Sequence, residues 1–117
     1  MIPAVVGCCA QAGGGAAPVA AFSGVPQSGP SALVVNFSDT SSNTPTSWTW
    51  AVVNDPFGSH AFTGGTSSSS QNPQITFTYT GSHPPDPPLT MFNVSLTAGN
   101  AFGSDSEDKV GYITALA

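Results

Sequence analysis

The sequence predicts an all-β protein, a β-sandwich of about seven short strands behind an extended N-terminal arm. Apolar and polar residues alternate with a period of two in several segments. The 13 Gly and 11 Pro among 117 residues provide frequent turns between those segments. No segment carries apolar residues at the spacing of an amphipathic helix. These observations together favour strands over helices throughout the domain.

The alternation defines four clear strands with one apolar and one polar face. In the first, Leu33, Val35 and Phe37 share a face, while Val34 and Asn36 point the other way. Three later segments repeat the pattern with the apolar faces Trp48–Trp50–Val52, Ile75–Phe77–Tyr79 and Phe92–Val94–Leu96. Their polar faces are rich in Thr, a good strand former. Such strands suit a half-buried antiparallel sheet.

Turn residues separate the strands. The predicted turns and loops are Gly24–Pro30, Ser41–Pro45, Asp55–Pro73, Gly81–Pro88 and Gly99–Ser104. The third is much longer than a typical loop of about 4–6 residues. We expect its Phe57 and Phe62 to be exposed aromatics, and we expect both histidines, His60 and His83, to lie in loops.

The charge composition excludes two classes of partner. The chain has one Lys, no Arg and six acidic residues, giving a net charge of -5 with only 6% charged residues. Binding to a polyanion needs several cationic contacts, so no nucleic-acid partner is expected. No membrane partner is expected either, because anionic surfaces disfavour this charge and no apolar run approaches the ~20 residues of a span.

Residues 1–17 form the predicted arm, and residues 18–117 form the sandwich domain. The arm is small, apolar and glycine-rich without any period, which is typical of a flexible or partner-docked segment. Its Cys8 and Cys9 are adjacent, and a Cα separation of ~3.8 Å is below the disulfide range of ~4.4–6.8 Å. They are therefore not expected to bridge each other. A cross-link between subunits and the redox compartment stay open.

The sequence contains no motif typical of catalysis, of cofactor binding or of metal binding. Two His and many Ser occur without a nucleophile motif, so no catalytic residue and no cofactor is expected. Asp105, Glu107 and Asp108, together with Asp39, are candidates for calcium, but calcium needs ~6–8 oxygen ligands at suitable spacing. We interpret them as solvated acids and expect no metal. The chain is not expected to be an enzyme.

The two tryptophans permit two interpretations. Trp48 and Trp50 share a strand face, which favours packing in the core over an exposed platform for sugars. Exposure of both rings would support a role in carbohydrate binding.

A series of short segments, in this order, resembles PKD domains. They are Pro18–Phe22, Phe37–Ser41, Ser47–Trp50, Thr76–Thr80, Phe92–Thr97, Asn100–Ser104 and Gly111–Thr114. PKD domains are immunoglobulin-like β-sandwiches common in bacterial surface and secreted proteins. The resemblance covers about residues 18–116 and implies an immunoglobulin-like, PKD-like antiparallel sandwich. It also implies a spacer, adhesion or assembly role rather than an activity.

The chain departs from the family's pattern at three places. Ala51–Gly58 replaces the acidic turn that usually follows the family's tryptophan, Gly81–Pro88 is inserted, and Phe92 stands where relatives often carry tyrosine. No binding site is therefore carried over from the family.

We expect a non-catalytic structural protein of a large assembly, a decoration, cement or fibre-type protein on the exterior of a bacteriophage virion. The chain starts at Met1, shows no export signal and contains one such domain. Its expected partners are other virion proteins such as a major capsid protein. Whether the arms also build a homo-oligomer stays open. The acidic balance favours the outside of the shell, away from a polyanionic genome. The expected interface residues are Ile2, Val5, Val6, Cys8, Cys9, Phe57, Phe62, His83, Pro85 and Pro87.

The alternative is a carbohydrate- or protein-binding adhesion module of a secreted bacterial protein, located extracellularly or at the cell surface. An export signal in the parent gene would favour it. A host-surface glycan is a further conceivable ligand that no motif supports.

Overall fold

The computed structural model describes residues 15–53, 55, 58–79 and 89–117. Within these ranges the chain forms eight β-strands and no helix. The described residues accordingly contain no helix with the length and hydropathy needed to cross a membrane. The strands are β1 (Phe22–Val25), β2 (Ser28–Pro30), β3 (Leu33–Asp39), β4 (Ser47–Val52), β5 (His60–Thr63), β6 (Gln74–Phe77), β7 (Leu89–Asn100) and β8 (Gly103–Leu116).

The strands form two four-stranded sheets. The first has the order β1-β3-β6-β5 and is antiparallel throughout. The second has the order β2-β8-β7-β4 and is antiparallel except for the parallel pair β2–β8. The prediction of an all-β sandwich is confirmed.

The inner faces of the two sheets supply the core. Leu33, Val35 and Phe37 are buried while the residues between them are exposed, as the alternation predicts. Aromatic contacts cross between the sheets: the rings of Phe22 and Trp50 lie 5.0 Å apart and those of Phe77 and Phe92 4.9 Å apart. Burying each such side chain contributes about 1.5–3 kcal/mol. The core residues are Phe22, Leu33, Val35, Phe37, Trp50, Ile75, Phe77, Phe92, Val94, Leu96, Ile113 and Ala115.

Three predicted loops contain strand residues, and those predictions are wrong in part. In the predicted turn Gly99–Ser104, only residues 101–102 lie outside β7 and β8. The predicted turn Gly24–Pro30 holds the end of β1 and all of β2, because the chain there crosses from the first sheet to pair with Thr114–Leu116 of the second. The predicted loop Asp55–Pro73 holds β5, which pairs with β6 at a sheet edge. Both missed strands are short and lie at sheet edges. They are too short to show the long apolar alternation from which the other strands are predicted.

The β7–β8 hairpin sets the length of the sandwich. A loop of only two residues, 101–102, joins the strands, and Asn100 pairs with Gly103. The twelve residues of β7 span roughly 36 Å at ~3.3 Å per residue. We call the end at residues 101–102 the hairpin end and the opposite end, where β7 begins at Leu89, the loop end.

The register fixes the directions of β4 and β7. In the β4–β7 pair, Ser47 lies opposite Gly99 and Val52 lies opposite Val94. Strand β4 therefore runs away from the hairpin end and finishes opposite the middle of β7. Strand β7 begins at the loop end, where Leu89 pairs with Leu116.

Candidate interaction surfaces

The arm joins the sandwich at the hairpin end, where two asparagines fix its backbone. The Asn100 Nδ2 atom donates to the carbonyl of Ala16 at 2.9 Å and to the carbonyl of Asn43 at 2.8 Å. The Asn43 Nδ2 atom donates in turn to the carbonyl of Ala17 at 3.0 Å. The start of the described chain is thus bound to both the β3–β4 loop and the hairpin.

The next residues of the chain are fixed by two further side chains. The Ala20 amide donates to Asp105 Oδ2 at 2.8 Å, and the Ala21 amide donates to Ser41 Oγ at 3.0 Å. Asp105 belongs to β8 and Ser41 follows β3. Residues 16–21 are consequently tied to both sheets, which gives the arm a defined point of departure.

A shallow cleft of about 400 Å³ opens where the arm departs. Its lining includes Gly15, Thr44, Thr46 and Phe102. The Phe102 ring lies directly over Gly15, where a Cβ atom would collide with it, yet its side chain is still 63% exposed. The hairpin end therefore combines a small cleft with one exposed aromatic ring.

Asp55 organises the loop end. Its side chain is 1% exposed, and both of its oxygens accept hydrogen bonds. Oδ1 accepts from the Ser59 amide at 2.8 Å and from Ser59 Oγ at 2.7 Å. Oδ2 accepts from the His60 amide at 2.9 Å and contacts His60 Nδ1 at 2.5 Å. One carboxylate thus holds the chain as it enters β5.

These contacts determine the acidity of Asp55. Burial raises the pKa of its carboxyl group, but the hydrogen bonds from His60 and Ser59 outweigh burial and lower the pKa to about 2. Charge-assisted hydrogen bonds of this kind are stronger than neutral ones. The carboxylate is therefore ionised at neutral pH and serves as the acceptor that the surrounding N–H and O–H groups need.

A groove of about 390 Å³ lies beside His60 on the outer side of β5 and β6. Hydroxyl-bearing side chains line it, including Ser59, Thr63, Thr76 and Thr78. Ser59 Oγ bonds to Asp55, and His60 does so through Nδ1. This geometry lacks the serine–imidazole hydrogen bond through which a histidine activates a nucleophile.

An exposed apolar patch lies on the outer face of the second sheet, in the half nearer the loop end. It consists of Val53, Met91 and Val110, whose exposed fractions are 58%, 48% and 81%. The three surround Asn93, whose carbonyl accepts from the Val53 amide at 3.0 Å and whose Oδ1 accepts from the Gly111 amide at 2.7 Å. The methyl group of Met91 lies over Gly111.

Phe62 is the predicted interface residue that the structure describes, and its predicted environment is wrong. It belongs to β5, is half-buried against the core and meets the His60 ring edge to face at 6.2 Å. His60 itself begins β5, so its prediction as a loop residue is also wrong. The other predicted interface residues lie outside the described residues: Ile2, Val5, Val6, Cys8, Cys9, Phe57, His83, Pro85 and Pro87.

The tryptophans pack as the sequence predicts. Trp50 is 2% exposed and donates from Nε1 to the Ser70 carbonyl at 2.8 Å. Trp48 is half-buried against the core and donates from Nε1 to Asp39 Oδ2 at 2.9 Å. Burial raises the pKa of Asp39, but hydrogen bonds from Ser41, Trp48 and Gln71 outweigh it and lower the pKa. The two rings do not form an exposed platform for sugars.

The acidic residues are dispersed among different contacts. Asp39 binds Trp48, Asp105 binds the Ala20 amide, and Glu107 lies 3.4 Å from Lys109 Nζ. Asp108 is exposed. Among the residues that the structure describes, no group of three or more His, Cys, Asp or Glu side chains is placed to hold a metal ion.

Asn43, Asn100 and Asp55 are structural determinants that the sequence patterns do not single out. The Asn100–Ala16 hydrogen bond joins residues 84 positions apart, so no local signal reports it. Asp55 is different, because its partners follow within five residues. An Asp that begins such a turn is a recognisable local signal.

No protein-family model matches the chain, and a search of curated proteins finds no relative. The function must therefore be argued from the surfaces themselves.

Proposed function

We propose that this chain is a non-catalytic structural protein of a large assembly, a decoration, cement or fibre-type protein on the exterior of a bacteriophage virion. The observation that carries the proposal is the placement of its surfaces at different parts of a stiff sandwich. The arm departs from the hairpin end, where Asn43 and Asn100 bind it. The exposed apolar patch belongs to the half of the second sheet nearer the loop end. A module built this way can hold one neighbour at each end.

The sandwich itself is proposed to be an immunoglobulin-like, PKD-like domain. Immunoglobulin constant-type sandwiches have strands A, B, E and D in one sheet and C, F and G in the other. The order β1-β3-β6-β5 corresponds to the first set, and β8-β7-β4 corresponds to G, F and C. Domains with this architecture serve many functions, so the strand order supports the fold proposal alone.

The outer face of the second sheet supports the proposal that many copies of the protein pack closely in an array. The outer face of its strands β4, β7 and β8 presents small polar side chains along paired positions: Ser47, Thr49, Ser95, Thr97, Ser104 and Ser106. Thr97 and Ser106 hydrogen-bond to each other at 2.6 Å. Asp108 adds one carboxylate to this face, so the repulsion between neighbouring copies is weak. The net charge of -5 favours the exterior of a shell over contact with its genome.

The decisive experiment is detection and rebinding on purified virions of the phage that encodes the chain. Mass spectrometry is expected to find it in a fixed ratio to the major capsid protein. Labelled chain is expected to rebind particles from which it has been stripped, and a variant lacking residues 2–14 is expected to lose occupancy while its sandwich stays folded. Absence of the chain from intact particles would refute the proposal. Undiminished binding of the shortened variant would refute the role of the arm.

A further inference from the structure

The arm and the apolar patch of one molecule are well separated. The described chain begins at Gly15 against Phe102, at the hairpin end. On β7, Asn93 at the centre of the patch and Met91 lie seven and nine positions before Asn100, distances of roughly 23 and 30 Å at ~3.3 Å per residue. The two features therefore face different neighbours in any array of parallel copies.

The patch is apolar and is bordered by one charged residue of the outer face, Asp108, which is exposed and stands two residues before Val110. Val110, the most exposed member of the patch, is 81% exposed on β8. The neighbouring Lys109 is directed to the other side of the sheet, where its Nζ atom lies 5.2 Å from the centre of the Phe22 ring and 5.3 Å from that of Tyr112. An apolar segment that stops short of Asp108 is thus accommodated without burying a charge.

The patch is too small to hold a partner surface of ordinary size by itself. A stable interface buries about 800 Å² on each side, and three side chains fall well short of that area. The partner must therefore follow the sheet beyond the patch, as an extended segment does. The sequence before Gly15 offers such a segment: Ile2–Val6 is apolar, and none of the fourteen preceding residues is charged.

We propose that the apolar patch of one copy binds the Ile2–Val6 segment of a second copy, so that copies join head to tail. This inference rests on the proposed function, because it names the partner of the arm. Burial of apolar surface drives the contact. Because arm and patch are different surfaces of each copy, the contact is heterologous and repeats from copy to copy, giving a ring or a filament.

The direction of the chain favours a second copy over the same molecule. The centre of the patch lies roughly 23 Å from the hairpin end, within the roughly 32 Å that Val6 can reach from Gly15, so length alone does not decide. Followed backwards, the chain runs from Phe22, which packs on Trp50, to Gly15 against Phe102, and so towards the hairpin end. At Gly15 it therefore heads away from the patch of its own molecule and towards a neighbour beyond the hairpin end.

Complementation between two defective variants tests the proposal. Val110→Asp places a charge in the patch, and a deletion of residues 2–14 removes the segment that binds it. Val34→Asp is the matched control, since Val34 is an exposed valine on the outer face of the other sheet. Sedimentation velocity measures association over a concentration series, and circular dichroism with urea unfolding verifies that each variant folds.

The wild type and Val34→Asp are expected to form oligomers that grow with concentration. Val110→Asp alone and the shortened chain alone are expected to associate at least tenfold more weakly. Mixed together they are expected to form a 1:1 dimer and nothing larger, because only one functional contact remains. A wild type that stays monomeric, a folded Val110→Asp variant that associates normally, or a mixture that forms no dimer would each overturn the proposal.

The outcomes also separate this inference from the proposed function. A chain that occupies virions but does not self-associate refutes the head-to-tail contact alone. A chain that forms head-to-tail oligomers but is absent from virions refutes the virion role alone.

Discussion

The hairpin end and the loop end of the sandwich are held together by different chemistry. At the hairpin end, exposed neutral amides of Asn43 and Asn100 bind the backbone of the arm. At the loop end, the almost fully buried carboxylate of Asp55 accepts from Ser59 and His60. Water competes for exposed neutral bonds, whereas a buried acceptor cannot be replaced by water. We therefore expect the loop end to depend on one residue and the hairpin end on many small contributions.

Removal of the Asp55 carboxylate is expected to have the largest effect. Asp55→Ala leaves the Ser59 and His60 amides without their acceptor, and we expect the free energy of unfolding to fall by about 3 kcal/mol. Asp108→Ala is the matched control, because Asp108 is exposed and surface changes stay within about 0.5 kcal/mol. Urea unfolding measures both variants. Equal losses in the two would show that Asp55 has no special role.

The second-largest effect is expected from acid, which destabilises the loop end. The pKa of Asp55 is lowered from 3.8 to about 2 in the folded protein, so its contribution is complete above about pH 5 and is lost as the pH falls towards 2. The shift corresponds to roughly 2 kcal/mol. Asp39, whose pKa is also lowered, adds to the loss with the same sign. Unfolding measured between pH 5 and pH 2 is expected to show a shallower decline in Asp55→Ala; parallel declines would contradict this.

A smaller effect is expected at the hairpin end. Asn100→Ala removes the bonds to Ala16 and Asn43, and we expect a loss of about 1 kcal/mol. Amide exchange of Phe102, whose N–H donates to Asn100 Oδ1 at 2.8 Å, is expected to accelerate. Exchange of the Ser59 amide at the loop end is expected to stay unchanged. Faster exchange at both ends would mean that the two ends are not independent.

The smallest effect is expected where the arm meets Phe102. Gly15→Ala places a methyl group against the Phe102 ring, but this ring is largely exposed and is able to turn aside. We expect a change in stability within about 0.5 kcal/mol, together with shifted NMR resonances of the ring. Unchanged resonances would show that Gly15 and Phe102 are not in contact.

The sequence predicts the core far better than it predicts the ends. Burial of Leu33, Val35 and Phe37 follows from local alternation, because one face of each sheet packs against the other. The edge strands β2 and β5 carry too few apolar residues for that rule, and their place depends on pairing with distant strands. Likewise, Asn100 binds a residue 84 positions away, a contact that no window of sequence contains.

The head-to-tail contact between neighbouring copies has a direct test in the chain's composition. Asp108 lies on the same outer face as the patch, two residues before Val110, whereas the side chain of Lys109, the single lysine, is directed to the other side of the sheet. A carbodiimide joins a carboxylate directly to an amine that is in contact with it. Mass spectrometry of a cross-linked mixture of ¹⁵N-labelled and unlabelled chains distinguishes links within one molecule from links between two. We predict links from the amino terminus of one copy to Asp108 of another. Links of the amino terminus confined to single molecules, or oligomers without the predicted link, would contradict it.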